Sequence, residues 1–419
     1  MTKHTPNPKS QIQNSLALIS RWTLPSLIVV AALVIFHFVA IRPQEPAIVL
    51  PRNQPVTIGP RFTDPRVVTY EQLAAVLERV KPPANPVSTN NFVHALRLWG
   101  PAADFGDATI PNGRALHDYF LDDVAFRKLA GDAAPPLYAR GADGITVRSY
   151  DDQLTDQTTS SVHTDDLLAT LAETGTPLDA PLRLRDGDAR VADLLTAALS
   201  RFHLEQFEYE WTTIAYARYV FPQRQWRNKY GERIDVDSLV AEIVSAPPQL
   251  GPCNGLHRLE ALVVLYRADE EFHALKPRTK LQMLLYMKRA SNALVEAQTA
   301  EGYWTRQWPQ GAAAATPAKE NAPSLHDKLL VTGHHLEWLA LAPEEVQPPR
   351  ETVVRAAQWL ARALVEMDEK DLLEAYGPYS HAARALCLWR GVEPFEFWKQ
   401  QHKSVVSGKL PVAITATVH

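Results

Sequence analysis

The stretch "SHAARALCLWRG", residues 380–391, has the pattern of an apolar helix that ends at glycine and carries a histidine and an arginine three positions apart. An earlier stretch, "VHALRLWG" at residues 93–100, nearly repeats this pattern. Residues three apart lie on the same face of a helix, so His381 and Arg384 should point in the same direction. The recurrence of such a pair at two distant places indicates a structural repeat.

Helical patterns of two kinds alternate along the chain, with little strand signal between them. Six amphipathic segments carry charged residues on one face, at residues 70–80, 114–130, 190–206, 236–246, 279–298 and 350–367. Six segments that are apolar nearly all round lie between them, at residues 91–99, 162–171, 211–221, 256–266, 329–342 and 379–389. A helix that is hydrophobic on every side must be covered on every side. The alternation therefore predicts an inner ring of helices inside an outer ring.

Five of the six inner segments share a histidine, a charged residue three positions later, and then leucine. The pairs are His94 and Arg97, His163 and Asp166, His257 and Glu260, His334 and Glu337, and His381 and Arg384. The third inner segment carries Thr212 or Thr213 instead. In a ring of parallel helices the pairs would face the axis, where buried charges must be hydrated or paired with one another. We therefore predict an all-α fold, an (α/α)6 toroid over residues 67–398, with a polar central pocket.

The predicted pocket suits a polar or anionic ligand. The amino termini of the inner helices would gather at one end and present unpaired N–H groups and positive dipole ends. The predicted ligand-binding residues are His94, Arg97, His163, Asp166, Glu260 and Arg384. Nucleic acid is not a predicted partner, because 43 basic and 47 acidic residues give a net charge of −4 without a long basic run.

Residues 24–41, "LPSLIVVAALVIFHFVAI", contain no charged residue and approach the ~20 residues that a helix needs to cross a bilayer. A cleaved signal peptide is the alternative, but Phe38 fits poorly in its small-residue cleavage site. We predict a single-pass membrane anchor after a tail at residues 1–23, with the C-terminal domain extracytoplasmic. Repeated prolines predict an extended stalk over residues 42–66, and residues 399–419 are predicted to form a C-terminal tail.

The segment "QTAEGYW", from Gln298 to Trp304, matches the Gln-x-x-x-Gly-x-Trp of the QW repeat in squalene and other triterpene cyclases. Arg289, Ala290 and Leu294 fit the looser first half of that repeat. Residues 67–398 thus resemble the α/α toroid shared by terpenoid cyclases and protein prenyltransferases. The resemblance implies that Gln298 and Trp304 tie an outer helix to the next inner helix. The cyclase Asp-x-Asp-Asp run and the prenyltransferase Asp-x-Cys zinc motif are absent, so neither activity is implied.

The segment "GPCNGLHRLE", residues 251–260, places Cys253, His257 and Glu260 along one stripe of a helix. Cysteine and histidine at i and i+4 can share a zinc ion if another helix completes the tetrahedron. Cys253 and His257 are therefore candidate metal ligands, with zinc as the candidate cofactor. The alternative is a small buried cysteine beside a hydrogen-bonded histidine, and a disulfide between Cys253 and Cys387 is also left open.

The candidate catalytic residues are His334, His335, Glu337, His381 and Tyr379. Adjacent histidines diverge by about 100° on a helix, so at most one of His334 and His335 faces the axis with Glu337. A histidine beside a carboxylate can act as a general base, and Tyr379 adds a phenol that could act as an acid. The alternative is a buried histidine–carboxylate hydrogen bond that joins two helices.

Two functions of different class follow from these predictions. One is an envelope enzyme that acts on a polar or anionic substrate such as a glycan, as some toroid lyases do. The other is a noncatalytic ligand-binding or scaffold protein of the cell envelope. An Asp-Gly turn between β-prone runs predicts a hairpin within residues 136–152, and residues 309–323 form a low-complexity loop. Both insertions are predicted at the histidine end of the toroid, as lids or as ordinary surface insertions.

Overall fold

The computed structural model divides the chain into two units, Met1–Ala47 and Ile48–His419. It describes residues 29, 48–83, 88–148, 159–206, 208–247, 251–317, 322–368, 370–371 and 376–406. The predicted tail at residues 1–23, and the predicted span at residues 24–41 except Val29, lie outside the described residues. Within the described residues, no helix is both long enough and apolar enough to cross a membrane.

The described part of the second unit is mostly helical, which confirms the all-α prediction. Its helices are α1 (Tyr70–Arg79), α2 (Thr89–Trp99), α3 (Gly113–Leu121), α4 (Asp123–Ala130), α5 (Asp166–Glu173), α6 (Val191–Arg201), α7 (Glu210–Tyr219), α8 (Val236–Ser245), α9 (Leu256–Phe272), α10 (Pro277–Ala297), α11 (Leu325–Leu341), α12 (Arg350–Glu366), α13 (Tyr376–Arg390) and α14 (Pro394–Val406). Three antiparallel hairpins pair β1 (Tyr138–Gly141) with β2 (Gly144–Val147), β3 (Pro181–Leu184) with β4 (Gly187–Arg190), and β5 (Gln225–Arg227) with β6 (Arg233–Asp235). Short 3₁₀ helices lie at Pro252–Gly255, Trp308–Ala315 and Glu344–Val346.

Six helices form a closed series of contacts, and we call them the inner helices. In the order α2, α5, α7, α9, α11 and α13, each packs against the next, and α13 returns to α2. Their apolar sequences are explained by this position, since every residue of α7 and residues 329–341 of α11 are buried. Other helices pack against them: α12 contacts α11 and α13, α10 contacts α9, and α6 contacts α5 and α7.

Helix boundaries follow the predicted patterns closely at most positions but differ at two. Residues 114–130 form two helices, because the Asp122 carboxylate accepts the backbone N–H of Val124 at 2.8 Å and caps a new helix there. The inner segment predicted at residues 162–171 becomes helical only at Asp166, after Asp165 adopts a left-handed conformation with φ 59°. His163 therefore precedes its helix and does not lie on it.

The predicted hairpin is present as β1 and β2, with Gly141 opposite Gly144 at its turn. The other two hairpins were not predicted, since strands of three or four residues are too short to show an alternating pattern. Part of the predicted loop at residues 309–323 forms the 3₁₀ helix at Trp308–Ala315, which packs on α10. The predicted toroid boundary at residue 398 falls inside α14, and residues 407–419 lie outside the described residues.

Residues 48–66, which the proline spacing predicts as a free-standing stalk, pack across the carboxyl ends of the inner helices. We call them the cap segment. Three backbone hydrogen bonds tie it to the inner helices: Val56 N–H to Arg218 O at 2.8 Å, Arg61 N–H to Ala340 O at 2.9 Å, and Asp64 N–H to Trp389 O at 2.8 Å. These carbonyls lie in the last turns of α7, α11 and α13, where a helix leaves its carbonyl groups unpaired. The folded unit therefore begins at Ile48 and not at the predicted Val67.

Gln298 and Trp304 join α10 to two other helices. The Gln298 amide donates to Gly302 O at 2.9 Å and to Thr352 O at 2.8 Å, which links the end of α10 to α12. The Trp304 indole donates to Leu294 O on α10 at 2.8 Å, and its backbone N–H donates to the Thr332 hydroxyl on α11 at 3.0 Å. Both side chains are buried, so their polar groups depend on these partners.

Replacing Gln298 by alanine should lower the free energy of unfolding by about 2 kcal/mol, because two buried carbonyls lose their donor. The measurement is urea denaturation monitored by circular dichroism, with an unchanged m-value. Gln282→Ala, at a half-buried position of the same helix, is the matched control and should change stability by less than about 0.5 kcal/mol. Equal effects of the two substitutions would show that the Gln298 bonds are not stabilising.

Candidate functional site

Five histidines from five parts of the chain meet among the inner helices. Their rings form an unbroken series of contacts, which we call the histidine run. Its ring centroids are separated by 4.9 Å for His94 and His381, 3.8 Å for His381 and His334, 5.2 Å for His334 and His257, and 5.0 Å for His257 and His163. The run follows the order of the inner helices, from α2 through α13, α11 and α9 to the residues before α5.

The thiol of Cys253 lies beside three members of this run, His163, His257 and His334. The turn before α9 presents it in a strained conformation, since Cys253 and Asn254 have φ values of 48° and 56°. A non-glycine residue held in this region costs about 1–3 kcal/mol, and such strain concentrates at functional sites.

Two carboxylates orient the histidines. Glu208 accepts a hydrogen bond from His163 Nδ1 at 2.6 Å and from the Thr164 backbone N–H at 2.7 Å, so its own position is fixed. Glu337 Oε2 accepts from His381 Nδ1 at 2.7 Å and lies 3.4 Å from His334 Nδ1. In each case the carboxylate engages Nδ1, which leaves Nε2 of the imidazole for chemistry at the centre of the site.

The environment shifts the ionisation of these groups. Burial alone would raise the pKa of the Cys253 thiol, but the charge of His257 and the imidazoles of His163 and His334 hold that pKa well below its usual range. Burial lowers the pKa of His163, yet Cys253 and Glu208 outweigh it and raise that pKa to about 11. The pKa of His94 falls to about 4 because burial dominates there.

Several buried polar atoms around the run have no hydrogen-bond partner in the described structure. They include Nδ1 of His257, both ring nitrogens of His334, and the indole N–H of Trp211. Trp211 packs on the run itself, with its ring centroid 4.5 Å from that of His257. Buried polar groups are nearly always paired, so this concentration of unpaired atoms marks a place suited to an ion or a polar ligand.

A buried network of charges lies next to the histidine run, and we call it the ion layer. Each inner helix contributes one member: Arg97 from α2, Glu173 from α5, Arg218 from α7, Glu260 from α9, Glu337 from α11 and Arg384 from α13. Arg384 Nη1 donates to Glu337 Oε1 at 2.8 Å, and Arg218 lies 3.3 Å from Glu173. Three positive and three negative groups thus compensate one another inside the protein.

The structure brings most of the predicted residues together but separates two. His335 lies away from the run, against Trp304 and Trp308, and its Nδ1 accepts the Trp338 indole N–H at 3.0 Å. The candidate catalytic role of His335 is therefore not supported by its position. Asp166 contacts the Ser161 hydroxyl and takes no part in the ion layer, because His163 and Asp166 do not share a helix face.

The remaining predicted residues lie at or beside the site. Tyr379 is buried on α13, two positions before His381. Arg97, Glu260 and Arg384, predicted as ligand-binding residues, are paired within the ion layer. Cys253 and Cys387 are both free, so the disulfide that the sequence left open is not formed.

Four residues of the site were not predicted, namely Glu173, Glu208, Trp211 and Arg218. Glu173 and Arg218 occupy the charged positions on α5 and α7, the two inner helices where the histidine pattern is displaced or missing. Arg218 lies within the predicted inner segment at residues 211–221, so a search for one buried charge in each segment would have found it, whereas Glu173 lies beyond the predicted segment at residues 162–171. Glu208 lies in a connecting segment and carries no periodic signal.

Two groups of side chains have donor atoms close enough to share a metal ion. The donor atoms of His163, Cys253 and His257 lie within 4.8 Å of one another, and so do those of His334, Glu337 and His381. In the second group Glu337 Oε2 already accepts a hydrogen bond from His381 Nδ1 and lies 3.4 Å from His334 Nδ1, so the carboxylate is engaged by its neighbours. The first group combines a thiol and two imidazoles, which is a donor set that zinc prefers.

Comparison with protein-family models, with curated proteins and with solved structures finds no match for this chain.

Proposed function

We propose that the chain is a membrane-anchored enzyme built on an α/α toroid, with its active site at the histidine run. The closed series of inner helices and the outer helices packed on them support the toroid, as does the single QW-type segment at residues 298–304. The uncharged stretch at residues 24–41 supports a single-pass anchor, with the C-terminal domain outside the cytoplasm.

The observation that carries the proposal is the strained Cys253 thiol among imidazoles with unpaired nitrogens. A packed core gains nothing from unpaired polar atoms and a left-handed cysteine, since both cost free energy. An active site can use both, because they hold reactive groups in place before substrate arrives. This combination favours an enzyme over a scaffold.

His381 is the proposed proton-transfer group. Its Nδ1 donates a hydrogen bond to Glu337 Oε2, and Arg384 donates to the other oxygen of Glu337 at 2.8 Å. These two bonds fix the orientation of the His381 ring. The His381 Nε2 is then the nitrogen that can take a proton from a substrate or return one. Glu337 and Arg384 do not touch the substrate in this scheme and act as positioning residues.

The proposed substrate is polar and anionic, and a glycan that bears carboxylate groups fits this description. The inner helices α5, α7 and α9 begin without a side-chain hydrogen bond from their N-cap residues, so the positive ends of their dipoles favour an anion there. The imidazoles of the histidine run add further hydrogen-bond donors beside these termini.

The test is incubation of the purified full-length chain with a panel of anionic glycans, followed by chromatography of the products. His381→Ala should lower the rate of product formation by about 10²–10⁴-fold, the range for loss of a general acid or base. His326→Ala, which changes an exposed histidine, is the matched control and should leave the rate unchanged. Glycan binding without product formation by the unaltered chain would instead support the noncatalytic receptor.

A further inference from the structure

We propose that Cys253, His163 and His257 bind one zinc ion, with a fourth coordination position that faces His334. This inference deepens the proposed function, because the ion would lie in the same site and activate a water or substrate oxygen there. Zinc binding is nevertheless measured without any assay of activity, so the two proposals can fail separately.

The donor set and its spacing fit zinc. Thiolate and imidazole are the ligands of most protein zinc sites, with Zn–S about 2.3 Å and Zn–N about 2.0–2.1 Å. Donors on a tetrahedral ion at those lengths lie about 3.5 Å apart. The three donor atoms already lie within 4.8 Å of one another, so only small side-chain movements are needed to close on an ion.

The ligands come from two separate parts of the chain, as a rigid site requires. Cys253 and His257 are four positions apart, at the turn that opens α9, while His163 approaches from the segment before α5. Cys253 has a left-handed backbone conformation, and its thiol lies close to both imidazoles. A bond from the thiolate to a metal would offset the strain of that conformation.

Glu208 supplies the outer support that metal-bound histidines usually have. It accepts His163 Nδ1 at 2.6 Å, which fixes the ring and leaves Nε2 as the metal ligand. The second bond of Glu208, from the Thr164 N–H at 2.7 Å, prevents the carboxylate from rotating away. Trp211 covers the His257 side of the site with an apolar ring, which strengthens electrostatic interactions there.

His334 occupies the place from which a fourth coordination position would be approached. Its ring lies 5.2 Å from that of His257, and neither of its nitrogens makes a hydrogen bond. The Glu337 carboxylate lies 3.4 Å from its Nδ1, on the side of the ring away from the proposed coordination position of Nε2. Three protein ligands and one open position are the pattern of catalytic zinc, whereas structural zinc has four protein ligands.

The experiment is metal analysis of the full-length chain purified from zinc-supplemented cells, with the zinc affinity measured by chelator competition. We expect about one zinc per chain, and Cys253→Ser, His163→Ala and His257→Ala should each lower the affinity at least about 100-fold. Glu208→Gln keeps all ligands and should lower the affinity about 10–100-fold. His326→Ala and Cys387→Ala are controls outside the site and should retain full zinc content.

Cobalt substitution tests the identity of the ligands in the unaltered protein, so the inference does not depend on variants that fail to fold. We expect a thiolate-to-cobalt charge-transfer band in the near ultraviolet and strong visible bands from four-coordination, and Cys387→Ala should keep both. His334→Ala should retain one zinc per chain. Zinc at background level, cobalt without a thiolate band, or loss of zinc in His334→Ala would each overturn the proposed site. Zinc binding without glycan turnover would count against the proposed function alone.

Discussion

Replacing Glu173 by glutamine should lower the free energy of unfolding by about 3–5 kcal/mol, the cost of removing one partner from a buried ion pair. Glu173 contacts three arginines: Arg97, Arg218 at 3.3 Å and Arg384 at 3.6 Å. A neutral amide would leave these three positive charges with only Glu260 and Glu337 to compensate them. The effect should far exceed that of a surface pair, because the side chains of the layer are at most 14% exposed and little water can replace the lost charge.

The measurement is chemical denaturation at neutral pH, with Asp118→Asn as the control. Asp118 pairs with Arg114 at 2.7 Å on the exposed face of α3, where loss of an ion pair costs about 0.3–0.5 kcal/mol. A loss below about 1 kcal/mol for Glu173→Gln would mean that the arginines find other partners and that the ion layer is not required.

The same contribution should depend on pH in a defined direction. Burial raises the pKa of Glu173, but Arg97, Arg384 and Arg218 outweigh burial and lower the pKa to about 2 from its ordinary 4.5. A carboxylate with a lowered folded-state pKa stabilises the protein above its ordinary pKa, and the contribution is lost as the pH falls through that value toward the folded-state pKa. The stability difference between the unaltered chain and Glu173→Gln should therefore shrink between about pH 4.5 and pH 2.

The ion layer shows what the sequence could and could not predict. His94 and Arg97, His257 and Glu260, His334 and Glu337, and His381 and Arg384 each share a helix, so the i, i+3 rule correctly placed them on one face. His163 and Asp166 show the same pattern of a histidine and a charged residue three positions later. The helix begins only at Asp166, however, so the i, i+3 rule does not apply to this pair. A pattern that depends on helical geometry is informative only where the helix exists.

The proposed zinc ligands illustrate a second limit. Cys253 and His257 were found because they lie four positions apart, but their turn is left-handed at Cys253, so they are not a simple helical pair. His163 and Glu208 join them from distant parts of the chain, with Glu208 in a connecting segment. Such partners are set by tertiary packing and leave no local periodicity in the sequence.

The proline-rich segment shows how a correct local interpretation can give a wrong boundary. Prolines do prevent helix formation in residues 48–66, and the segment is extended as their spacing predicts. An extended chain, however, has free N–H and C=O groups at positions without proline, and the last turns of α7, α11 and α13 have free carbonyls. The two sets pair with each other, and Phe62 stacks on Trp389 with ring centroids 6.2 Å apart.

Deletion of residues 1–66 should therefore give a chain that is unfolded or insoluble, whereas deletion of residues 1–47 should leave the unfolding midpoint unchanged. The longer deletion removes the three backbone bonds to the inner helices and the 2.9 Å bond from the Arg218 guanidinium to Val56 O. At about 0.5–1.5 kcal/mol for each bond, plus the apolar surface of Ile58 and Phe62, the loss approaches the 5–15 kcal/mol that stabilises a typical domain.

Thermal denaturation followed by circular dichroism separates the two deletions, and Phe62→Ala in the full-length chain gives a graded version of the same test. That substitution removes a half-buried ring from Trp389 and should cost about 1–3 kcal/mol, less than the 3–5 kcal/mol of a fully buried phenylalanine. If the chain without residues 1–66 unfolds at the same temperature as the chain without residues 1–47, the cap segment does not stabilise the folded unit, and the predicted stalk is correct. That result would mean that the last carbonyl groups of α7, α11 and α13 do not need hydrogen-bond donors from residues 48–66.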